Sequence, residues 1–243
     1  MHSEKLQAFV LSTIDYGDSD RIASLFTLEH GRLKGFARGA KNSRKRFGAA
    51  LETFARIEAH VNIKQGLSGL QQADILSIYP HIRSDLARIA HALYTCELMD
   101  AMTPEGHPLP RLFRLMTVYL EHLEAAPATE SDRRFFEINL LNILGYRPSL
   151  ESCTRCDKPF GEQGALQQED GELACHACVA GGRPLSPVTL KLLLGCMGTG
   201  TFGLITFQAE TMPQAGNALD AAIAVHAERR LKSLEFLRQI NRE

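Results

Sequence analysis

The chain has 243 residues, of which 44% are hydrophobic and 23% are charged, and its net charge is −1. This composition is ordinary for a soluble globular protein. No apolar run approaches the roughly 20 residues that a membrane-spanning helix needs, so we predict a cytoplasmic protein with no membrane partner.

Positive charge is concentrated in one short segment. Residues 32–46 contain seven basic residues and no acidic one, which leaves the rest of the chain with a net charge of −8. The seven are Arg32, Lys34, Arg38, Lys41, Arg44, Lys45 and Arg46. Such an asymmetry predicts a local anion-binding surface on an acidic protein.

Residues 1–79 have the pattern of short strands separated by turns. Apolar and polar residues alternate strictly over 55–64, and further strands are predicted over 6–14, 21–28, 31–37 and 70–78. Five strands in about 80 residues fit a small barrel of the OB type, which often binds single-stranded nucleic acid. An SH3-like barrel or a sandwich also fits the pattern.

Helical periodicity replaces the alternation after residue 80. We predict a helix capped by Ser84, a second near Pro110, a third from Ser131 to a stop at Gly145, and two more over 187–194 and 217–239. The predicted fold is therefore an α+β multidomain protein, with an OB-fold barrel followed by an α-helical bundle. The predicted parts are a DNA-binding barrel over 1–79, a helical domain over 80–150 and 183–243, and a zinc ribbon inserted over 151–182.

Four of the six cysteines form two Cys-x-x-Cys pairs. Cys153 and Cys156 are followed after eighteen residues by Cys175 and Cys178, the spacing of a four-cysteine zinc site. Four sulfurs fill a tetrahedral shell, so we predict one structural Zn²⁺ per chain; vestigial or redox-active thiols are the alternative. A zinc deaminase is disfavoured, because Ala174 stands where that signature has a proline.

The basic segment begins as a strand and continues as a loop. Arg32, Lys34 and Arg38 share one face of the extended part, and the resulting stripe suits a phosphate backbone. Phe36 and Phe47 could stack on bases, but a position in the barrel core is favoured for both. Asp15, Asp18 and Asp20 are interpreted as turn residues. Because no phosphate-binding loop or cluster of titratable groups is recognisable, we predict that the protein is not an enzyme.

Several ordered motifs resemble the RecO family of bacterial recombination mediators. They are Tyr-Gly-Asp-Ser-Asp-Arg-Ile over 16–22, Leu-Phe-Thr over 25–27, Glu-His-Gly-Arg-Leu over 29–33 and Ala-Arg-Gly-Ala-Lys over 37–41. Leu-Gly-Tyr-Arg-Pro-Ser-Leu over 144–150 is similar to the segment that leads into the family's zinc knuckle, and 230–237 to its closing helix.

The resemblance implies a repair protein that binds single- and double-stranded DNA and anneals complementary strands. It also implies cooperation with RecR to load RecA onto strands coated by single-stranded-DNA-binding protein, whose C-terminal tail the helical domain binds, and thus a location at the nucleoid. Lys34, Arg38 and Lys41 match the family's DNA-contacting positions. A zinc-ribbon module of transcription or RNA metabolism, or a nucleic-acid-modifying enzyme with a zinc ribbon, remains the competing interpretation.

Overall fold

A computed structural model describes residues 3–227 and 229–240. The chain divides into two compact units, Met1–Pro127 with Glu228–Glu243, and Ala128–Ala227. The first unit contains β1 Glu4–Tyr16, β2 Asp20–Thr27, β3 Gly31–Ala37, β4 Arg56–Asn62, β5 Leu67–Ser77, α1 Pro80–Arg83, α2 Leu86–Met102, α3 Pro110–Ala125 and α7 Lys232–Ile240. The second contains α4 Glu130–Leu144, β6 Ala165–Gln167, β7 Leu173–Ala174, β8 Arg183–Leu185, α5 Pro187–Thr199 and α6 Thr211–His226.

The five long strands form a closed barrel in the order β1-β2-β3-β5-β4. All neighbours are antiparallel except β3 and β5, which run parallel. This arrangement confirms the predicted OB-like barrel. The interior is filled by the inward-facing residues of the alternating strands, among them Leu6, Leu25, Ile57 and Val61.

Helices cover one part of the barrel's outer surface. The ring of Phe113 on α3 packs against Phe9 of β1 and Phe26 of β2, with centroid distances of 5.0 and 6.2 Å. On α2, Asp100 accepts a hydrogen bond of 2.6 Å from the hydroxyl of Ser24. These contacts fix α2 and α3 on β1 and β2 and leave another part of the outer surface uncovered.

The second unit consists of α4, α5 and α6 with the cysteine segment inserted between α4 and α5. Thr129 caps α4 by accepting the backbone N–H of Asp132, and Gly145 ends it in the left-handed conformation, as predicted. A three-stranded sheet in the order β7-β6-β8 lies within the inserted segment. The fold class predicted from the sequence, a barrel followed by helices with a cysteine insertion, is therefore confirmed.

Two details of the helix prediction are wrong. Asp85, not Ser84, caps α2, and its carboxylate accepts the N–H of Arg88. The helix predicted over 217–239 is two helices, because α6 ends at His226 and α7 begins at Lys232. The new start is stabilised by Glu97 of α2, whose carboxylate accepts the backbone N–H groups of Lys232 and Ser233.

Within the described residues, no helix has both the length and the apolar character needed to cross a membrane.

Candidate metal centre and nucleic-acid interface

The four predicted cysteine ligands lie together. The sulfur atoms of Cys153, Cys156, Cys175 and Cys178 are all within 4.8 Å of one another. A tetrahedral shell with Zn–S bonds of about 2.3 Å spaces its sulfurs about 3.8 Å apart, and the sulfurs of Cys156 and Cys175 are 3.8 Å apart. The donor set and its spacing therefore fit one four-coordinate metal ion.

Backbone N–H groups favour the thiolate form in this cluster. Sγ of Cys153 accepts hydrogen bonds from the N–H groups of Cys175, at 3.3 Å, and Arg155, at 3.4 Å. Burial alone would raise the pKa of Cys153, but these bonds and the N–H of Cys156 outweigh burial and lower the pKa to about 6. The pKa of Cys178 is instead raised to about 12, because its thiol shares hydrogen bonds with the sulfurs of Cys156 and Cys175. Thiolates that lie this close repel one another, and a bound cation relieves that repulsion.

The seven predicted DNA-binding cations divide into two groups. Lys34, Arg38, Arg44 and Lys45 are exposed. No side-chain hydrogen bond or ion pair involves any of these four within the described part of the chain, so their charges face solvent. They lie on the outer face of β3 and on the turns that follow it.

The other three cations hold the segment in place. Arg32 donates to the carbonyl of Thr103 at 2.9 Å and lies 3.8 Å from a carboxylate oxygen of Asp100. Lys41 contacts the Asp15 carboxylate and the Gly17 carbonyl, each at 3.1 Å. The third, Arg46, has the partners Arg38 O at 2.7 Å and Ser43 Oγ at 3.0 Å. These side chains position the free cations, and the charges of Arg32 and Lys41 are partly neutralised by carboxylates.

Asp15 and Asp20, two of the three aspartates interpreted as turn residues, also anchor this segment, which the sequence analysis missed. Asp20 accepts the backbone N–H of Gly39 at 2.7 Å, and this bond is the main reason that the pKa of Asp20 is lowered. The hydrogen bond from Lys41 lowers the pKa of Asp15. The signal in the sequence was the group of acidic residues between the first two predicted strands, but their pairing with the basic segment depends on the barrel register.

The two phenylalanines of the segment have different surroundings. Phe47 is 2% exposed and belongs to the barrel core, as predicted. Phe36 is half-buried on the outer face of β3, so the prediction of a core position is wrong for this residue. It occupies an even position of the strand, on the same face as Lys34, whereas Leu33 and Gly35 face inward.

Two basic residues just before the C-terminal helix are each paired with a carboxylate. Arg229 pairs with Asp100 at 2.6 Å, and Arg230 pairs with Glu235. The exposed cations of the barrel are therefore the better candidate for an anion-binding surface.

The protein is thus an OB-like barrel protein that carries a four-cysteine knuckle in its later helical region. The family described as Recombination protein O N terminal matches residues 1–79, and Recombination protein O C terminal matches residues 83–235. The chain is 70% identical to DNA repair protein RecO of Pelobacter propionicus over 244 residues, covering 100% of this chain and 99% of the relative.

More distant relatives also match nearly the whole chain. DNA repair protein RecO of Geobacter sulfurreducens is 51% identical, covering 99% of both chains, and that of Myxococcus xanthus is 37% identical, covering 96% of both. The chain therefore belongs to the RecO family, and a role in DNA repair and recombination follows from this membership.

Proposed function

We propose that this protein binds single- and double-stranded DNA through the exposed cations of its barrel and anneals complementary strands. The observation that carries the proposal is the group of four exposed cations, Lys34, Arg38, Arg44 and Lys45, on one segment of a protein that is otherwise acidic. Each cation that contacts a phosphate releases condensed counterions, which drives binding without reading the base sequence.

Annealing requires two polyanions to approach each other. The free cations lower the repulsion between the strands, while Arg32, Lys41 and Arg46 keep the segment fixed on the barrel. Base pairing then supplies the remaining free energy, so the reaction needs no nucleotide and no covalent step. We accordingly propose a mediator that is not an enzyme and acts in the cytoplasm at the nucleoid.

The proposed partners are RecR, the C-terminal tail of single-stranded-DNA-binding protein and, indirectly, RecA. Membership of the RecO family supports this set, because loading a recombinase onto a coated strand needs a protein that contacts both DNA and the coat. In this proposal residues 1–79 bind DNA, and residues 80–150 and 183–243 form the helical domain that recognises the tail. Co-elution with purified RecR at micromolar concentrations tests the first partner.

The cysteine cluster is proposed to hold one structural Zn²⁺ within the ribbon of residues 151–182. Four thiolates complete a tetrahedral shell, so no position is open for water or substrate. The ion replaces the hydrophobic core that so small an insertion cannot build by itself.

Strand annealing with matched variants tests the proposed function. We expect the variant Lys34→Ala/Arg38→Ala/Arg44→Ala/Lys45→Ala to anneal at least about tenfold more slowly, because four phosphate contacts are lost. The control Arg111→Ala/Arg114→Ala/Lys158→Ala/Lys191→Ala removes the same charge from other exposed positions and should anneal like the unaltered protein. Equal rates for both variants would contradict the proposal. A protein that binds RNA but anneals no DNA would instead fit a zinc-ribbon module of transcription or RNA metabolism.

A further inference from the structure

An apolar strip crosses the uncovered outer surface of the barrel. The strand register places Ile14 of β1 beside Ile22 of β2, Ile22 beside Phe36 of β3, and Phe36 beside Gly69 of β5. Ile14 is 60% exposed, and Ile22 and Phe36 are half-buried. Four neighbouring strands thus form one continuous row of apolar surface.

Tyr16, at the end of β1, adds a second aromatic ring to this strip. It is 57% exposed, and its ring meets that of Phe36 edge to face, with centroids 5.9 Å apart and an interplanar angle of 82°. A β-bulge between Val10 and Ser12 shifts the register of β1. Because a bulge re-aims the side chains that follow it, the second half of β1 presents Ile14 and Tyr16 to solvent.

The row ends at Gly69 of β5, which pairs with Phe36 and carries no side chain. A Cβ added at Gly69 would meet only the Cβ of Asn62, at an ordinary 3.8 Å. Packing therefore does not require glycine at this position. Its consequence is that β5 places no side chain beside Phe36 in this row.

Free cations flank the strip. Lys34 lies one row away on β3, between Ser24 of β2 and Leu67 of β5, and Arg38 follows the end of β3. Exposed rings between cations are the combination that binds single strands, because bases stack on the rings while the phosphates contact the charges. A duplex keeps its bases stacked on each other, so it can use only the cations.

We propose that Tyr16 and Phe36, extended by Ile14 and Ile22, form a platform on which unpaired bases of single-stranded DNA stack. The platform rests on the proposed DNA binding and adds to it a preference for single strands over duplex. Lys34 and Arg38 hold the backbone on either side of the stacked bases.

Binding to a natural single strand, to an abasic strand of the same length and to a duplex tests the platform. For Tyr16→Leu we expect affinity for the natural strand to fall about fivefold or more, the lower end of what stacking one base contributes. Its salt slope and its affinity for the abasic strand and the duplex should not change, because no phosphate contact is lost. The control is Tyr146→Leu, which removes another exposed tyrosine, stacked on His226 with centroids 4.0 Å apart, and should bind like the unaltered protein. Phe36→Leu is the second variant, should Tyr16→Leu fail to melt like the unaltered protein.

The outcomes separate the platform from the proposed function. Unchanged affinity of Tyr16→Leu for the natural strand, or equal affinity of the unaltered protein for natural and abasic strands, would overturn the platform while leaving the phosphate contacts intact. If Tyr16→Leu loses binding to a protein partner but retains its affinity for DNA, the strip is a protein-docking surface and the platform is also overturned. An unaltered protein that binds none of the three nucleic acids would refute the proposed function and the platform together.

Discussion

At the scale of single residues, Gly31 shows how closely the barrel approaches its neighbouring loop. It lies at the start of β3 with φ of 68°, and a Cβ at this position would lie 1.8 Å from the carbonyl oxygen of His107. The same loop is fixed by a hydrogen bond of 2.8 Å from the N–H of Gly106 to the carbonyl of Arg32. The glycine therefore permits the close contact between the loop of residues 106–107 and the start of β3, the strand that carries Lys34.

The comparison of Gly31→Ala with Gly17→Ala measures this close approach. Both glycines have positive φ, but a Cβ at Gly17 meets nothing within 4 Å. The left-handed conformation lowers the stability of both variants by about 1–2 kcal/mol. Overpacking lowers the stability of Gly31→Ala alone by about a further 1–3 kcal/mol. We expect Gly31→Ala to unfold at clearly lower urea concentration than Gly17→Ala. Equal midpoints would mean that the loop moves away at no cost.

At the scale of elements, the strands were predictable and the helix ends were only partly so. Strict alternation placed β4 within two residues of its observed bounds, since burial of one face imposes a period of two. The bulge in β1 was not predictable, because an extra residue leaves no mark in the alternation of so apolar a strand. The break between α6 and α7 depends on the carboxylate of Glu97, which lies 135 residues before Lys232, and local pattern cannot reveal such a cap.

The cysteine knuckle is the element whose function the sequence predicted most directly, because two short turns fix four sulfurs at one point. We expect Cys153→Ala to lose the metal and to melt at a lower temperature, since metal binding and folding of such a segment are coupled. The control is His176→Ala, which changes an exposed neighbour of Cys175 whose ring contacts the carbonyl of Gln163 at 3.2 Å. It should retain one metal ion per chain by elemental analysis. Unaltered protein that contains no metal and melts like Cys153→Ala would contradict a structural zinc site.

At the scale of the whole molecule, the charge distribution was evident in the sequence but the availability of each charge was not. The seven basic residues of 32–46 stood out against an acidic chain. Which of them are neutralised depends on distant residues, since Arg32 is paired with Asp100 and contacts Thr103, about seventy residues further on. The same holds for Phe36, whose outward position follows from the parity of β3 within the closed barrel. Composition therefore located the basic segment that we propose binds DNA, and the fold divided it into free and structural cations.

The salt dependence of single-strand binding tests most directly whether the free cations contact phosphates. Each contact contributes about 0.7 to the slope of log affinity against log salt concentration, so loss of the contacts made by Lys34, Arg38, Arg44 and Lys45 should flatten the slope by roughly 3. The charge-matched variant of Arg111, Arg114, Lys158 and Lys191 should retain the original slope, and both variants should melt like the unaltered protein. If the quadruple variant of these four barrel cations melts normally and retains both the salt slope and the affinity for single strands, the account is contradicted and the DNA site lies elsewhere.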